Sequence, residues 1–270
     1  MVKRIPATLM NRLTVKTKSG PGKQRPPRAF GVGRRLSPMK FVPLHERVLE
    51  ELRDAITGGR LQPGESLTLR GLAAEIGTSI MPIRDAVKQL VSLGALEAAA
   101  NRTVRVPPLT ADRFKDVAAV RQIVEARAAE LAATRISDDE TDALRRINEE
   151  MEIAERENNL RATFRLNREF HFRLYRASGN DLLVSIIEKL WLLAGPYMSL
   201  SWNADPPDRR RDSAHAVYVH HRALLRALEQ RSAQAAGRHI EQDIKATAGA
   251  ILKMDVFADR RSTGRKNSPR

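Results

Sequence analysis

The fold of the N-terminal half is decided by residues 72–90, which read Leu-Ala-Ala-Glu-Ile-Gly-Thr-Ser-Ile-Met-Pro-Ile-Arg-Asp-Ala-Val-Lys-Gln-Leu. A short helix that ends at Gly77 and a longer one that begins after Ser79 predict a helix-turn-helix. Gly77 tolerates positive φ, and Pro82 falls in a first helical turn, where its missing N–H costs little. We expect the second helix to pack inward through Ile83, Ala86, Val87, Leu90 and Val91. Its outward side would carry Ile80, Met81, Arg84 and Lys88.

The segments on either side of this pair predict a small winged domain over residues 41–108. Residues 43–57 have helical periodicity and stop at Gly58-Gly59. Residues 96–106 predict a two-stranded β-ribbon whose tip carries Asn101, Arg102 and Thr103. Together these elements form a winged helix-turn-helix, in which the second helix lies in the major groove of DNA.

The motifs of this region are similar to those of the winged-helix domain of the GntR superfamily of bacterial repressors. The similarity covers residues 43–108 and includes Ile-Thr-Gly-Gly-Arg-Leu-Gln-Pro-Gly-Glu-Ser-Leu at 56–67 and Pro-Ile-Arg-Asp-Ala-Val-Lys-Gln-Leu at 82–90. It implies operator contacts from Arg70, Ser79 and Arg84. With the outward side of the second helix and the wing tip, the predicted DNA-binding residues are Arg70, Ser79, Ile80, Met81, Arg84, Lys88, Asn101 and Arg102.

Two positions depart from the family pattern and leave the operator sequence open. Ile80 stands where the family often has arginine, and an apolar side chain can touch a thymine methyl but cannot hydrogen-bond guanine. Thr103 stands at the wing-tip glycine, where positive φ is less comfortable for a residue with a Cβ. Arg84 can reach a guanine edge or a phosphate, and the alternative for Arg70 and Arg84 is ordinary solvated arginine.

Residues 111–255 change to long helical patterns with few β signals, which predicts an antiparallel all-α bundle and a mainly α protein. Asp138 and Asp139 suit a helix start, and Gly179 followed by Asn180 suits a break. The predicted helices are 111–135, 138–156, 159–178, 180–202, 210–230 and 232–254.

The spacing of histidine and its neighbours in this bundle predicts a ligand site. Asn167 and His171 lie four residues apart on one helix face, and such pairs converge on a divalent metal. Residues 111–250 are similar to the FCD effector domain of FadR-like GntR regulators, through Val120 to Glu125, Phe170-His171, Ser178-Gly179-Asn180 and His221-Arg-Ala-Leu-Leu. In that family one Asp and three His hold zinc or a similar metal, with a carboxylate effector on or near it.

The resemblance implies one divalent metal at Asn167, His171, His221 and Asp243, with His239 one turn earlier as a substitute for the last. This set departs from the family pattern, because Asn167 stands at the position of the Asp and Asp243 at that of the third His. Amide and carboxylate oxygens both ligate metals, so the set still suits an ion. The implied effector-binding residues are Arg121, Asn167, His171 and His221. Arg121 either pairs with the effector carboxylate or forms a buried salt bridge to Glu125, and His171 is alternatively a hydrogen-bonded core histidine.

The net charge of +15 belongs to the two ends of the chain. Residues 1–45 hold eleven Lys and Arg and no acid, residues 256–270 hold five and one, and the remainder sums to zero. We therefore expect basic disordered tails at 1–40 and 256–270. Such tails attract phosphate without reading sequence, so a non-specific nucleic-acid-binding protein is an alternative.

The sequence contains no cysteine, which excludes disulfides and thiolate zinc sites and is expected of a cytoplasmic protein. It has no run of about eighteen apolar residues, so we expect no membrane partner. The combined hypothesis is a homodimeric transcription regulator, a repressor of catabolic genes, that binds a double-stranded DNA operator and responds to a small organic acid. A metal-dependent enzyme is the other use of the His/Asp cluster, but we find no nucleophile with a base beside it, and we predict no catalysis.

Overall fold

The computed structural model describes residues 43–99, 103–204 and 207–257. The first part of the chain forms three helices, α1 (Leu44–Thr57), α2 (Leu69–Ile76) and α3 (Ile80–Ser92). Thr68 caps α2 by accepting a hydrogen bond from the Gly71 amide, and Gly77 ends it with a φ of 73°. The predicted helix-turn-helix is therefore confirmed.

A small antiparallel sheet flanks the helices. It consists of β1 (Ser66–Thr68), β2 (Glu97–Ala98) and β3 (Thr103–Arg105), in the order β1-β3-β2. The predicted two-stranded ribbon was incomplete, because Ser66–Thr68 adds a strand whose Leu67 pairs with Val104. Three residues are too few to show a strand periodicity in sequence. Asn101 and Arg102, the predicted wing tip, lie outside the described residues.

The helix-turn-helix and the sheet share one apolar core, which we call the head core. The inward stripe of α3 supplies much of it, with Ile83 and Leu90 fully buried, while Val91 is partly buried against it. From α1 come Val48, Leu52 and Ile56, and from β3 comes Val104. Burial of side chains of this size contributes about 1.5–3 kcal/mol each, so the core holds the three short helices at fixed angles.

The rest of the described chain is a helical bundle with its own core. Its helices are α4 (Ala111–Ala133), α5 (Asp138–Arg156), α6 (Leu160–Ala177), α7 (Asp181–Ala204), α8 (Pro207–Glu229) and α9 (Ala233–Ile251). They lie close to the predicted bounds, and the predicted all-α bundle is confirmed. Ser137 and Glu140 form a capping box at the start of α5, which explains the sharp beginning seen in the sequence.

The end of the bundle runs beyond the predicted boundary at residue 256. Val256 and Phe257 pack against the bundle core, and the Phe257 ring stacks on Tyr197 with 5.3 Å between centroids. Phe257, at the start of a basic segment, is thus the last residue of the described chain that packs on the bundle core. The predicted tail at 1–40 lies outside the described residues, as does the predicted tail at 256–270 from residue 258 onward.

Helix α7 is long and apolar enough to cross a membrane at Asp181–Leu200, the one such segment among the described residues. More than half of that window, 56%, is buried inside the protein, as in a core helix. Trp191 lies in the bundle core, whereas the next residue, Leu192, lies in the head core. Its apolar composition is therefore explained by packing on two sides.

Helix α7 also makes a close backbone contact with α1. A Cβ on Gly195 would lie 2.7 Å from Thr57 Cα and 2.8 Å from the Thr57 carbonyl oxygen. Ion pairs flank this contact, with Arg53 Nη1 3.4 Å from Glu188 Oε2 and Arg168 paired with Asp54. Because residues from Val42 onward cluster as one compact unit, the predicted division near residue 110 into two domains stays a prediction.

Gly195→Ala is expected to lower the free energy of unfolding by about 1–3 kcal/mol, because backbone atoms of α1 would have to move. Gly249→Ala in α9 is the matched control, since among the described residues no atom lies within 4 Å of its added Cβ. That variant should gain up to about 1 kcal/mol from helix propensity. Urea unfolding measures both, and equal stabilisation by the two substitutions would show that α1 and α7 are not in close contact.

Candidate functional site

The outer side of α3, opposite the head core, is largely exposed and carries both charged and apolar side chains. Arg84 and Lys88 are exposed, Met81 is 54% exposed and Ile80 is half-buried. Ser79 occupies the N-cap position with extended φ and ψ, and its hydroxyl caps no amide of the described helix. The N-terminal amides of α3 and this hydroxyl are thus available to an anion. Arg70, near the start of α2, is also exposed.

A second group of functional side chains is buried in the bundle. His171 on α6, His221 on α8 and Asp243 on α9 place one ligand atom each within 4.8 Å of one another, the one such group among the described residues. The two Nε2 atoms of the histidines are 3.3 Å apart, and His171 Nε2 is 3.5 Å from Asp243 Oδ2. These residues are far apart in sequence and meet through helix packing. Helix α6 packs on α4 and α5, and α8 packs on α5 and α9.

The buried face of α6 positions the first of these ligands. Asn167 is buried one turn before His171 and lines the same small cavity. Asn167 and His171, the predicted i, i+4 pair, therefore lie on one face of α6. His221 and Asp243 are the third and fourth residues of the predicted ligand set. His239 lies elsewhere, half-buried on α9 near the positive charges of Arg238 and Arg226 and next to His220. Asp243, not His239, joins the cluster.

Burial controls the charge of this cluster. It lowers the pKa of His221 to about 3 and, with nearby His221 and Arg121, holds that of His171 well below its usual range. Burial raises the pKa of Asp243 to about 7, and Glu125 adds to the rise while Arg121 opposes it. Both imidazoles are therefore neutral near pH 7, which leaves nitrogen lone pairs for a ligand.

The donor set fits a divalent metal ion. Among the described residues Asp243 Oδ1 has no hydrogen-bond partner although it is buried, which is costly without a cation. The Nε2 separation of 3.3 Å agrees with the spacing of about 3.3 Å expected for two ligands of tetrahedral zinc. Two neutral imidazoles, a carboxylate and an amide oxygen are common metal ligands.

Arg121 lies beside the cluster and is committed to Glu125. Its Nε is 2.7 Å from Glu125 Oε1, and both side chains are buried. The guanidinium also lies 5.0 Å from the centroid of the Trp191 ring, and its Nη1 is 3.2 Å from Met198 Sδ. Of the two alternatives that the sequence left open, the structure has the buried salt bridge, and Arg121 still lines the cavity.

The cavity between these residues is small. Its volume is about 10 Å³, which is room for one water molecule or one ion. It is lined by Arg121, Asn167, His171, Met198, Asp243, Ile244 and Thr247. An organic acid of several carbon atoms therefore needs the walls to move, and Met198 on α7 is the flexible apolar part of that wall.

Sequence reasoning missed the residues that hold the histidines. His171 Nδ1 is 3.0 Å from the Tyr175 hydroxyl, and His221 Nδ1 is 3.2 Å from Asn148 Oδ1. Tyr175 follows His171 by four residues, so helical spacing could have found it. Asn148 lies on α5 and meets His221 only through helix packing, which the sequence alone does not reveal.

Family models match both halves of the chain. The model described as bacterial regulatory proteins, gntR family, matches residues 44–106, and the model of the FCD domain matches residues 116–246. The chain belongs to the GntR family of bacterial regulatory proteins. It is a DNA-binding transcription regulator with an FCD domain for effector binding, as the sequence predicted.

Curated relatives of this GntR protein are regulators. It is similar to the HTH-type transcriptional regulator McbR of Escherichia coli K12, with 28% identity over 79% of this chain and 95% of the relative. It is 26% identical, over 74% of this chain and 89% of the relative, to a probable D-xylose utilization operon transcriptional repressor of Paenarthrobacter nicotinovorans. None of these names describes an enzyme.

Solved structures agree with the fold of this GntR protein. The E. coli McbR/YncC structure has a TM-score of 0.74 at 24% identity and covers 79% of this chain and 99% of that one. A putative GntR regulator from Rhodococcus sp. RHA1 has a TM-score of 0.62 at 19% identity, over 77% and 97% of the two chains. The arrangement of winged helix and helical bundle is thus shared with these proteins.

Asp243→Asn is expected to stabilise the metal-free regulator at pH 8 by about 2–4 kcal/mol. The folded carboxyl keeps its proton up to about pH 7, whereas the unfolded one loses it near 3.8. Stability therefore falls as the pH rises through this window, and the full cost is present above it. Urea unfolding in the presence of a chelator measures the difference, which should shrink toward pH 5.

Asp116→Asn, at an exposed position on α4, is the matched control and should change stability by less than about 0.5 kcal/mol at either pH. An Asp243→Asn variant that is less stable than the wild-type protein at pH 8 would show that the carboxylate is already well solvated or paired without a cation.

Proposed function

We propose that this regulator reads its operator with the outer side of α3. The support is the division of that helix, whose inner residues are buried in the head core while Arg84, Lys88 and Met81 are exposed. Arg84 carries base or phosphate recognition, and Ser79 with the α3 amides anchors a phosphate. Ile80 contributes apolar contact with a thymine methyl. Arg70, Asn101 and Arg102 complete the predicted contact set.

A homodimer on a near-palindromic operator is part of the proposal. One recognition helix covers few base pairs, and helix-turn-helix proteins gain length and symmetry of readout by pairing two heads on successive major grooves. The protein would act in the cytoplasm as a repressor of catabolic genes, in keeping with its Paenarthrobacter nicotinovorans relative, a probable D-xylose utilization operon transcriptional repressor.

The effector is proposed to be a small organic acid that binds at the buried cluster. His171, His221, Asp243 and Asn167 would hold one divalent ion such as zinc, which supplies a positive centre for the effector carboxylate. Arg121 lines the same cavity, and a rearrangement of its salt bridge with Glu125 would let the guanidinium pair with the effector carboxylate as well. The observation that carries this proposal is the convergence of two neutral imidazoles and an unpartnered carboxylate oxygen.

Helix α7 is proposed to transmit effector binding to the head. Met198 lines the cavity, and the neighbouring Ser199 lies against Gly59, which follows α1. Because a cavity of about 10 Å³ cannot hold a multi-carbon acid, effector entry must displace part of its wall. Movement of α7 at Met198 would also move the surface on which α1 rests, and thereby the placement of the recognition helices.

Arg84→Ala is expected to weaken specific operator binding by about 1–3 kcal/mol, a loss of roughly 5- to 150-fold, because it removes a charged contact to the duplex. Electrophoretic mobility shift or fluorescence anisotropy with the protein's own promoter measures it. Arg173→Ala, an exposed arginine on α6, is the matched control and should bind as the wild type does. Unchanged affinity and specificity of Arg84→Ala would contradict the placement of α3.

Deletion of residues 1–40 separates the proposal from the alternative of non-specific coating by the basic tails. Preference for the promoter over random DNA should survive the deletion if α3 reads the operator. Collapse of all binding would favour the coating alternative, because most of the excess positive charge lies in that segment.

The double variant His171→Ala/His221→Ala should lose its effector response and keep its affinity for DNA. The experiment titrates a panel of small mono-, di- and tricarboxylic acids, with Zn²⁺ present, into the protein–promoter complex. His220→Ala is the matched control, since that histidine is adjacent in sequence but half-buried outside the cluster. If the double variant responds as the wild type does, the effector pocket lies elsewhere.

A further inference from the structure

In each of the two buried histidines one ring nitrogen joins a chain of hydrogen bonds and the other faces the second histidine. For His171 and His221 the nitrogen in the chain is Nδ1, at 3.0 Å from Tyr175 and 3.2 Å from Asn148. The two Nε2 atoms face each other at 3.3 Å. Which ring nitrogen carries the proton is decided by the outer partners of these chains.

The chain behind His171 ends at a buried carboxylate. Glu125 is the anionic partner of Arg121 and also accepts the Trp191 Nε1–H at 3.1 Å, so it offers only acceptors. The Tyr175 hydroxyl lies 2.5 Å from Glu125 Oε2 and donates its single proton there. Toward His171 the hydroxyl can therefore only accept. His171 must carry its proton on Nδ1, which leaves a lone pair on Nε2.

The chain of hydrogen bonds behind His221 runs through Asn148 and also places the proton of the imidazole on Nδ1. The Asn148 amide nitrogen donates to Glu152 Oε1 at 2.9 Å, and Arg222 Nε donates to the same oxygen at 3.0 Å. A carboxylate at that point fixes the amide so that Oδ1 faces His221. Oδ1 accepts only, and His221 also carries its proton on Nδ1.

We infer that Tyr175 and Asn148 are positioning residues that lock His171 and His221 in the Nδ1–H tautomer and aim both Nε2 lone pairs at one point. The inference rests on the proposed function and names the residues that prepare its metal site. Two lone pairs 3.3 Å apart repel each other unless a cation lies between them. The helices thus hold a site that is pre-organised for a metal ion. The hydrogen bonds that Glu125 accepts from Tyr175 and Glu152 accepts from Asn148 stabilise this arrangement.

The direct test is the proton position in the full-length protein without metal. Two-bond ¹H–¹⁵N correlation spectra of ¹⁵N-histidine-labelled protein, recorded near pH 7.5 with a chelator, distinguish a protonated Nδ1 from a protonated Nε2. We expect two buried histidines with protonated Nδ1. A proton on Nε2 of either ring would overturn the inference. This measurement needs no variant, so it stands even where a substitution prevents folding.

The variant Tyr175→Phe removes the acceptor and keeps the ring. We expect His171 to lose its fixed Nδ1–H signature and the affinity for Zn²⁺, measured by competition with a chromophoric chelator, to fall about 10–100-fold. Tyr218→Phe is the matched control, because its hydroxyl donates to the Met151 carbonyl at 3.3 Å instead of to a histidine. Unchanged tautomer and Zn²⁺ affinity in Tyr175→Phe would overturn the role of Tyr175.

Asn148→Leu tests the second chain in the same way, with the His221 signals as readout. The tautomer inference and the proposed metal site fail separately. Protonated Nδ1 atoms in a protein that binds no Zn²⁺ would support the positioning role and contradict the metal site. Protonated Nε2 atoms in a protein that binds Zn²⁺ tightly would support the metal site and contradict the positioning role.

Discussion

The buried ion pair between Arg121 and Glu125 is the interaction on which the bundle and its site both depend. Glu125 is completely buried and takes hydrogen bonds from Arg121 on its own helix, Tyr175 on α6 and Trp191 on α7. Removing one partner of such a pair typically costs about 3–5 kcal/mol, because the other charge stays buried. The same carboxylate orients Tyr175 and through it His171, so the group that ties three helices together also sets the chemistry of the cavity.

Helix α7 joins this buried network to the DNA-binding head. Adjacent side chains, Trp191 and Leu192, belong to different apolar cores, and Gly195 lets the helix backbone touch that of α1. Packed cores resist small deformations, so a helix shared by two of them moves as a unit with both. Helix α7 therefore offers a mechanical connection between the buried cavity and the DNA-binding head.

Local patterns predicted most of the fold. The turn at Gly77, the inward stripe of α3 and the helix start at Asp138 and Asp139 depend on residues within a few positions of one another, and the structure agrees with them. Features that depend on tertiary packing were not predicted. They are a strand of three residues at Ser66–Thr68, the packing of Phe257 on Tyr197, and the contact of Asn148 with His221. The residues that could hold a metal ion were predicted through family resemblance, and the structure brings His171, His221 and Asp243 together. The salt bridge of Arg121 could be recognised only from the distance to Glu125.

The small volume of the cavity, about 10 Å³, has a consequence for timing. The proposed organic acid would have to wait for the wall of this cavity to open, so its association would be slower than diffusion. Departure is gated by the same opening, which lengthens residence. For the proposed effector, such gating would make the regulator respond to a sustained supply of the metabolite more than to a brief pulse.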